Sequence, residues 1–98
     1  MPLEGDIEHA AWKQAKARGW YTFKLNSRSG RGFPDRLFIH NNSGQPVIVF
    51  IEFKQPGRKP TKLQARRIEE LKELGVNADW ADSVKRAMEI LDEALRIH

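Results

Sequence analysis

The sequence predicts an α/β fold with elements in the order α-β-β-β-α-β-α. Three observations carry that expectation. Apolar residues recur with a helical period in segments that open on capping residues or close on glycine. Val47 to Phe53 is a near-continuous apolar run, the composition of a central strand buried on both faces. Between that run and the preceding β-rich segment lies a strong turn signal, Asn41-Asn42-Ser43-Gly44, as in a hairpin.

The elements follow in order. Residues 4–18 are expected to form a helix, because Glu8, Ala11, Trp12 and Ala15 fall on one face and Arg18-Gly19 ends it. Trp20 to Leu25 is aromatic and β-branched enough for a strand. Residues 26–32, Asn-Ser-Arg-Ser-Gly-Arg-Gly, form a cationic loop. Asp35 to His40 is the second strand, with Leu37 and Ile39 on the side of Asp35. Gln55-Pro56-Gly57-Arg58-Lys59-Pro60 breaks the third strand, and a helix starts at Thr61, where Thr61 and Gln64 have the spacing of a capping box. Gly75 stops that helix and Val76 to Ala81 is a short fourth strand. Ser83 caps a last helix with Val84, Ala87, Met88, Leu91 and Leu95 on one face. Ile90, Ala94 and Ile97 form a second apolar strip, either a subunit interface or the rest of the core.

Ninety-eight residues suffice for one domain, expected to span 1–98. The absence of cysteine excludes disulfides and a thiolate zinc site, and a reducing compartment is the natural setting. No apolar stretch approaches the ~20 residues of a membrane span. The acidic N-terminal residues lack the basic-then-apolar order of a signal peptide.

The net charge of +4 is unevenly spread. Residues 9–67 hold thirteen lysines and arginines and two acids, Asp35 and Glu52, whereas residues 68–98 hold eight acids and four bases. A uniformly solvated surface mixes the signs. Segregation of this kind points to one phosphate-facing side and an acidic back. The bases Arg28, Arg31, Arg58, Lys59 and Lys62 flank the two loops nearest the lone acids. Their alternatives are solvated loop charge or phosphate contact, the latter salt-dependent and indifferent to base sequence.

The two acids carry the chemistry. Period-two geometry puts Glu52 and Lys54 on one strand face, and Asp35 lies beside them in a suitable hairpin register. Carboxylates on neighbouring strands suit Mg²⁺ or Mn²⁺, with the backbone carbonyl of Phe53 as a third oxygen. An ion there polarises a phosphodiester and acidifies water, and Lys54 can orient or deprotonate that water. Taken singly, Asp35 reads equally as a turn residue after Pro34, and Glu52 with Lys54 as an ion pair at a strand end. Taken together they point to function, because a buried strand seldom carries an isolated charge pair. Glu8 is either a first-turn acid favoured by the helix dipole or a metal-side residue. Gln64 either caps its helix or faces the site. His9, His40 and His98 show no ligand spacing, and the tryptophans suit core packing, with Trp20 ambiguous between core and base stacking.

Gly32-Phe33-Pro34-Asp35, Glu52-Phe53-Lys54 and Gln64, with Glu8 on the leading helix, resemble the PD-(D/E)xK nuclease superfamily. Within it the chain is most similar to the virus-type replication-repair nuclease (VRR-Nuc) family, over nearly its whole length. That resemblance implies a restriction-endonuclease-like core with a mixed central sheet flanked by helices. It also implies Asp35 and Glu52 as metal ligands, Lys54 as the catalytic lysine, and Glu8 and Gln64 as supporting residues. Stand-alone members of this size, often from phages, resemble homodimeric structure-specific DNA endonucleases. The expected activity is therefore Mg²⁺- or Mn²⁺-dependent cleavage of branched or junction DNA by a symmetric dimer, in the cytoplasm of a bacterial or phage-infected cell. Two alternatives stand beside it: a nucleic-acid-binding module that keeps the fold without cutting, and a Holliday junction resolvase of another PD-(D/E)xK branch.

Overall fold

The computed structural model describes residues 3–25 and 31–97. The elements are α1 (Glu4–Ala17), β1 (Tyr21–Lys24), β2 (Arg36–Asn42), β3 (Gln45–Phe53), α2 (Lys62–Glu73), β4 (Asn77–Ala81) and α3 (Val84–Arg96). They form one sheet in the order β1-β2-β3-β4. The first two pairings are antiparallel and the third is parallel, so the sheet is mixed. The parallel pair requires a crossover, which α2 supplies.

Local chemistry sets the boundaries. Gly19 takes φ +93, a left-handed geometry that lets the chain leave α1. Trp20 N–H then donates to the Ala15 carbonyl at 3.0 Å. The hairpin between β2 and β3 turns on Ser43 (φ 55) and Gly44 (φ 85) alone. Two left-handed residues make the tight turn whose twist matches the strands. The strand therefore runs on through Asn42, two residues further than the turn signal implies. Ser83 accepts from Arg86 N–H at 3.0 Å and so caps α3.

The two faces of the sheet are covered unequally. Beneath α1 and α3 lie Phe38, Val47, Val49, Ile51 and Phe53, all essentially inaccessible, with Ile7, Ala11, Ala15, Ala87 and Leu91 against them. Across the sheet, α2 lays Ile68 and Leu71 over Ala78, Phe50, Val76, Trp80 and Phe33. Because α2 reaches only β3 and β4 on that side, β3 is buried on both faces only over Ile51, Glu52 and Phe53. Its first half alternates, with Ile48 39 % exposed, so the apolar run is a central strand for part of its length. Trp20 is buried edge-on against Phe38 and His40, a core role. Ile90 and Ala94 also belong to the core, whereas Ile97 is 63 % exposed. The expected second strip on α3 is thus divided between the interior and the surface. No helix among the described residues is long and apolar enough to cross a membrane.

Candidate active site

The site forms where β2 begins and β3 ends. Gly32-Phe33-Pro34 delivers Asp35 to that point by packing. Pro34 is fully buried, and the Phe33 ring meets Phe50 edge-on at 5.8 Å between centroids. Gly32 takes φ +75 under α2, and a Cβ there meets Leu63 Cγ at 2.7 Å. Alanine at this position combines an unfavourable backbone with a clash, so Gly32→Ala is expected to cost about 2 kcal/mol or more, read as a lower denaturation midpoint.

Asp35 is held at both ends. Its carbonyl accepts from Leu25 N–H at 2.8 Å, and its Oδ2 accepts from Phe53 N–H at 2.8 Å. One acid is therefore fastened to β1 through its backbone and to β3 through its side chain. Glu52 lies alongside, 2 % exposed. Gln64 Nε2 donates to Glu52 Oε2 at 3.1 Å, and Lys54 Nζ lies 3.7 Å from the same oxygen. Glu52 Oε1 is buried and meets no hydrogen-bond donor.

Gln64 combines both roles that its position allows. Its Oε1 accepts from Thr61 N–H at 2.9 Å, and its own N–H donates to Thr61 Oγ1 at 3.2 Å, which closes the capping box of α2. The amide nitrogen remains free for Glu52. One side chain thus ends a helix and holds the acid.

From α1, Glu4 lies beside the two strand acids. Oxygens of Glu4, Asp35 and Glu52 lie within 4.8 Å of one another. Glu8, the acid expected from this helix, sits one turn further on and is engaged by cations. Arg36 Nε donates to its Oε2 at 3.0 Å, and Lys24 Nζ donates to its Oε1 at 3.4 Å. Glu4 precedes Glu8 by four residues, so the two share a helix face, a spacing that marks Glu4 as a second candidate without choosing between them.

Crowding of acids sets the electrostatics. Burial, then the charge of Asp35, pushes the Glu52 carboxyl up to about 8; Lys54 opposes the shift. The contact between Asp35 and Glu52 becomes a hydrogen bond only when one of them is protonated, which acts in the same direction. Burial also raises Asp35, against the hydrogen bond from Phe53. Glu4 is raised by burial and then by Asp35. Three crowded carboxyls with raised pKa values, one of them with a buried oxygen that no donor meets, describe a site short of positive charge.

Of the bases expected to meet phosphate, Arg28 lies outside the described residues. Arg31, Arg58, Lys59 and Lys62 are exposed, and none of their side chains forms an ion pair among the described residues. The loop bearing Arg58 and Lys59 is braced, since Gly57 N–H donates to Asp82 Oδ2 at 3.1 Å and Arg58 N–H to the Gln55 carbonyl at 3.0 Å.

A mixed sheet that gathers acids, a lysine and a glutamine at one end is the frame of a nuclease domain, and comparison with known proteins leads to the same class. The chain is 38 % identical over 80 residues to "Putative nuclease p44" of Acyrthosiphon pisum secondary endosymbiont phage 1, covering 82 % of this chain and 83 % of that protein. A solved structure described as "VRR_NUC domain" matches with a TM-score of 0.76 and 30 % identity, over 91 % of this chain and 94 % of the other. Another, "VRR_NUC domain protein", matches with a TM-score of 0.77 over 99 % of this chain and 91 % of its own, and at 18 % identity that likeness is one of fold. No family model matches the sequence. The chain belongs to the VRR-Nuc family of nuclease domains.

Proposed function

We propose that this chain is a Mg²⁺- or Mn²⁺-dependent DNA endonuclease that hydrolyses phosphodiester bonds. The observation that carries the reading is the convergence of Glu4, Asp35 and Glu52, one of which, Glu52, also has a buried carboxylate oxygen with no donor. A hard divalent cation suits that donor set, because all three groups are oxygens and each loses its proton more readily beside positive charge. Asp35, Glu52 and Glu4 would hold the ion, with the Phe53 carbonyl as a further oxygen. When bound, the ion supplies Lewis-acid polarisation of the phosphate and a more acidic water.

The remaining roles fall to the protein. Lys54, 3.7 Å from Glu52, can orient the attacking water and offset charge that builds on the phosphoryl oxygens. Gln64 keeps Glu52 in one rotamer through its 3.1 Å hydrogen bond. Arg31, Arg58, Lys59 and Lys62, with Arg28, hold the DNA backbone. Arg31→Ala or Arg58→Ala should weaken binding to every DNA sequence alike and lower the salt slope by about 0.9 per lost phosphate contact. An effect confined to certain sequences contradicts the phosphate role.

The reading extends to branched DNA and to a symmetric dimer, in which two sites address two strands. Its support is an apolar face made of Tyr21, Phe23, Leu37, Ile39, Pro46 and Ile48, which share one side of the sheet beyond the reach of α2. Tyr21 is 71 % exposed and Phe23 49 %. None of the six is charged, and a twofold interface, which sets a patch against its own copy, tolerates neutrality better than like charge. Two such patches cover on the order of 1,000 Å², near the lower limit for a specific interface. Wild-type protein should sediment as a dimer at micromolar concentration and Tyr21→Asp as a monomer; a monomeric wild type contradicts the dimer.

Incubating the protein with labelled junction, flap and linear DNA, in Mn²⁺ or in EDTA, tests the activity. Metal-dependent cleavage of branched substrates is the expected result. Binding without cleavage under any metal favours a non-catalytic module. Paired symmetric nicks across four-way junctions, without nicks on flaps, favour a Holliday junction resolvase.

A further inference from the structure

We propose that Glu8 and Arg36 are positioning residues that fix the first turn of α1, so that Glu4 completes the carboxylate trio. The inference rests on the reading of that trio as a metal site.

Glu8 is unsuited to holding an ion itself. Its side chain is 8 % exposed, and both oxygens are already engaged by cations. Arg36 Nε and one terminal guanidinium nitrogen both lie 3.0 Å from Glu8 Oε2, a two-point grip on a single oxygen. The other terminal nitrogen, Nη1, donates to Thr22 Oγ1 on β1 at 2.7 Å. The guanidinium carbon lies 5.8 Å from the centre of the Trp12 ring. Arg36 therefore contacts α1 at two successive turns, through Glu8 and Trp12, and β1 through Thr22. Such a side chain determines both the distance and the rotation of the helix relative to the sheet.

Two features direct that constraint at the trio. Arg36 follows Asp35 in the chain, so the anchor of the helix and the first acid of the site are set by the same strand start. Leu3, the N-cap of α1, has no polar side chain, and the first turn is closed locally by Leu3 N–H donating to Asp6 Oδ2 at 3.2 Å, a bond within the turn that does not tie Glu4 to the sheet. Ile7, buried in the core, and Glu8, one turn on from Glu4 and on its face, fix that turn against the sheet, and of the two only Glu8 is gripped by the strand that bears Asp35. A buried ion pair is costly beside an apolar pair of equal volume, and its use is in holding one arrangement against others.

A double-mutant cycle on the full chain tests this by calorimetric titration with Mn²⁺, with thermal melts recorded alongside. Glu8→Gln should weaken Mn²⁺ binding by about tenfold, the usual scale for a group that orients a ligand. In a Glu4→Gln background, the same change should have little further effect, because the residue through which Glu8 acts is already neutralised. Arg36→Lys keeps the charge but loses the fork, and should show the same background dependence if Glu8→Gln does not fold. Equal losses in both backgrounds, or unchanged affinity with Glu4 intact, overturn the positioning role. Wild-type protein that takes up no Mn²⁺ overturns the metal-site reading itself, a separate outcome.

Discussion

Asp35→Asn and Lys54→Ala should each abolish cleavage while leaving the fold and DNA binding in place. The asparagine keeps an oxygen to accept from Phe53 N–H, so the bond that ties β2 to β3 survives. What disappears is one negative charge from a trio within 4.8 Å. Lys54 is a side chain at the end of β3 whose backbone N–H remains paired with the Ala81 carbonyl at 2.9 Å, so truncation spares the sheet. Losing a proposed metal ligand, or the amine proposed to orient the reacting water, should lower the rate by about 10³-fold or more. Single-turnover cleavage with Mn²⁺, set against binding by fluorescence anisotropy, separates chemistry from affinity. Wild-type cutting by either variant shows that the site has been assigned to the wrong residues.

The second large effect concerns stability. Glu52 has its carboxyl pushed up to about 8 from an ordinary 4.5, by burial first and then by Asp35. Between those values the folded protein keeps a proton that the unfolded chain has released. The stability linked to this group is therefore complete below about 4.5 and is lost as pH rises through about 8. Asp35 shifts in the same direction. Glu52→Gln removes the charge, retains an oxygen for Gln64 and adds a donor for Asp35. In EDTA at pH 8 this variant should melt higher than wild type by roughly 5 °C, with a smaller gain at pH 5.5. Mn²⁺ should raise the wild-type midpoint, more at pH 8 than at pH 6, and leave the variant nearly unmoved. A difference between variant and wild type that does not grow with pH contradicts the charge argument.

How far the sequence could be read depended on whether a feature was local. The element order, the caps at Thr61 and Ser83 and the stop at Gly75 each depend on a few neighbouring residues, and each is present. The burial of β3 is not local. Its apolar run reads as central throughout, yet Ile48 is exposed because the length and placement of α2, which only the tertiary arrangement reveals, leave that half uncovered. Ile90 and Ala94 mislead for the opposite reason, since α3 is buried over a wider arc than one stripe. At the site, the strand parity that sets Glu52 beside Lys54 was legible, and so was the inward-facing option for Gln64. Which of two acids on α1 reaches the cluster was not. Glu4 and Glu8 share a face, and Glu8 is engaged by Arg36 and Lys24, which reach it from strands distant in sequence. That Gln64 caps and holds Glu52 simultaneously was equally invisible, since the two roles use different atoms of one amide.

Crystals grown at pH 8 and soaked in Mn²⁺ provide the most direct measurement, through anomalous scattering near the manganese edge. The expected result is a peak bounded by Glu4, Asp35 and Glu52, with Glu8 still paired to Arg36. A fully soaked crystal with no peak at the three carboxylates, or with manganese bound only elsewhere on the surface, contradicts it.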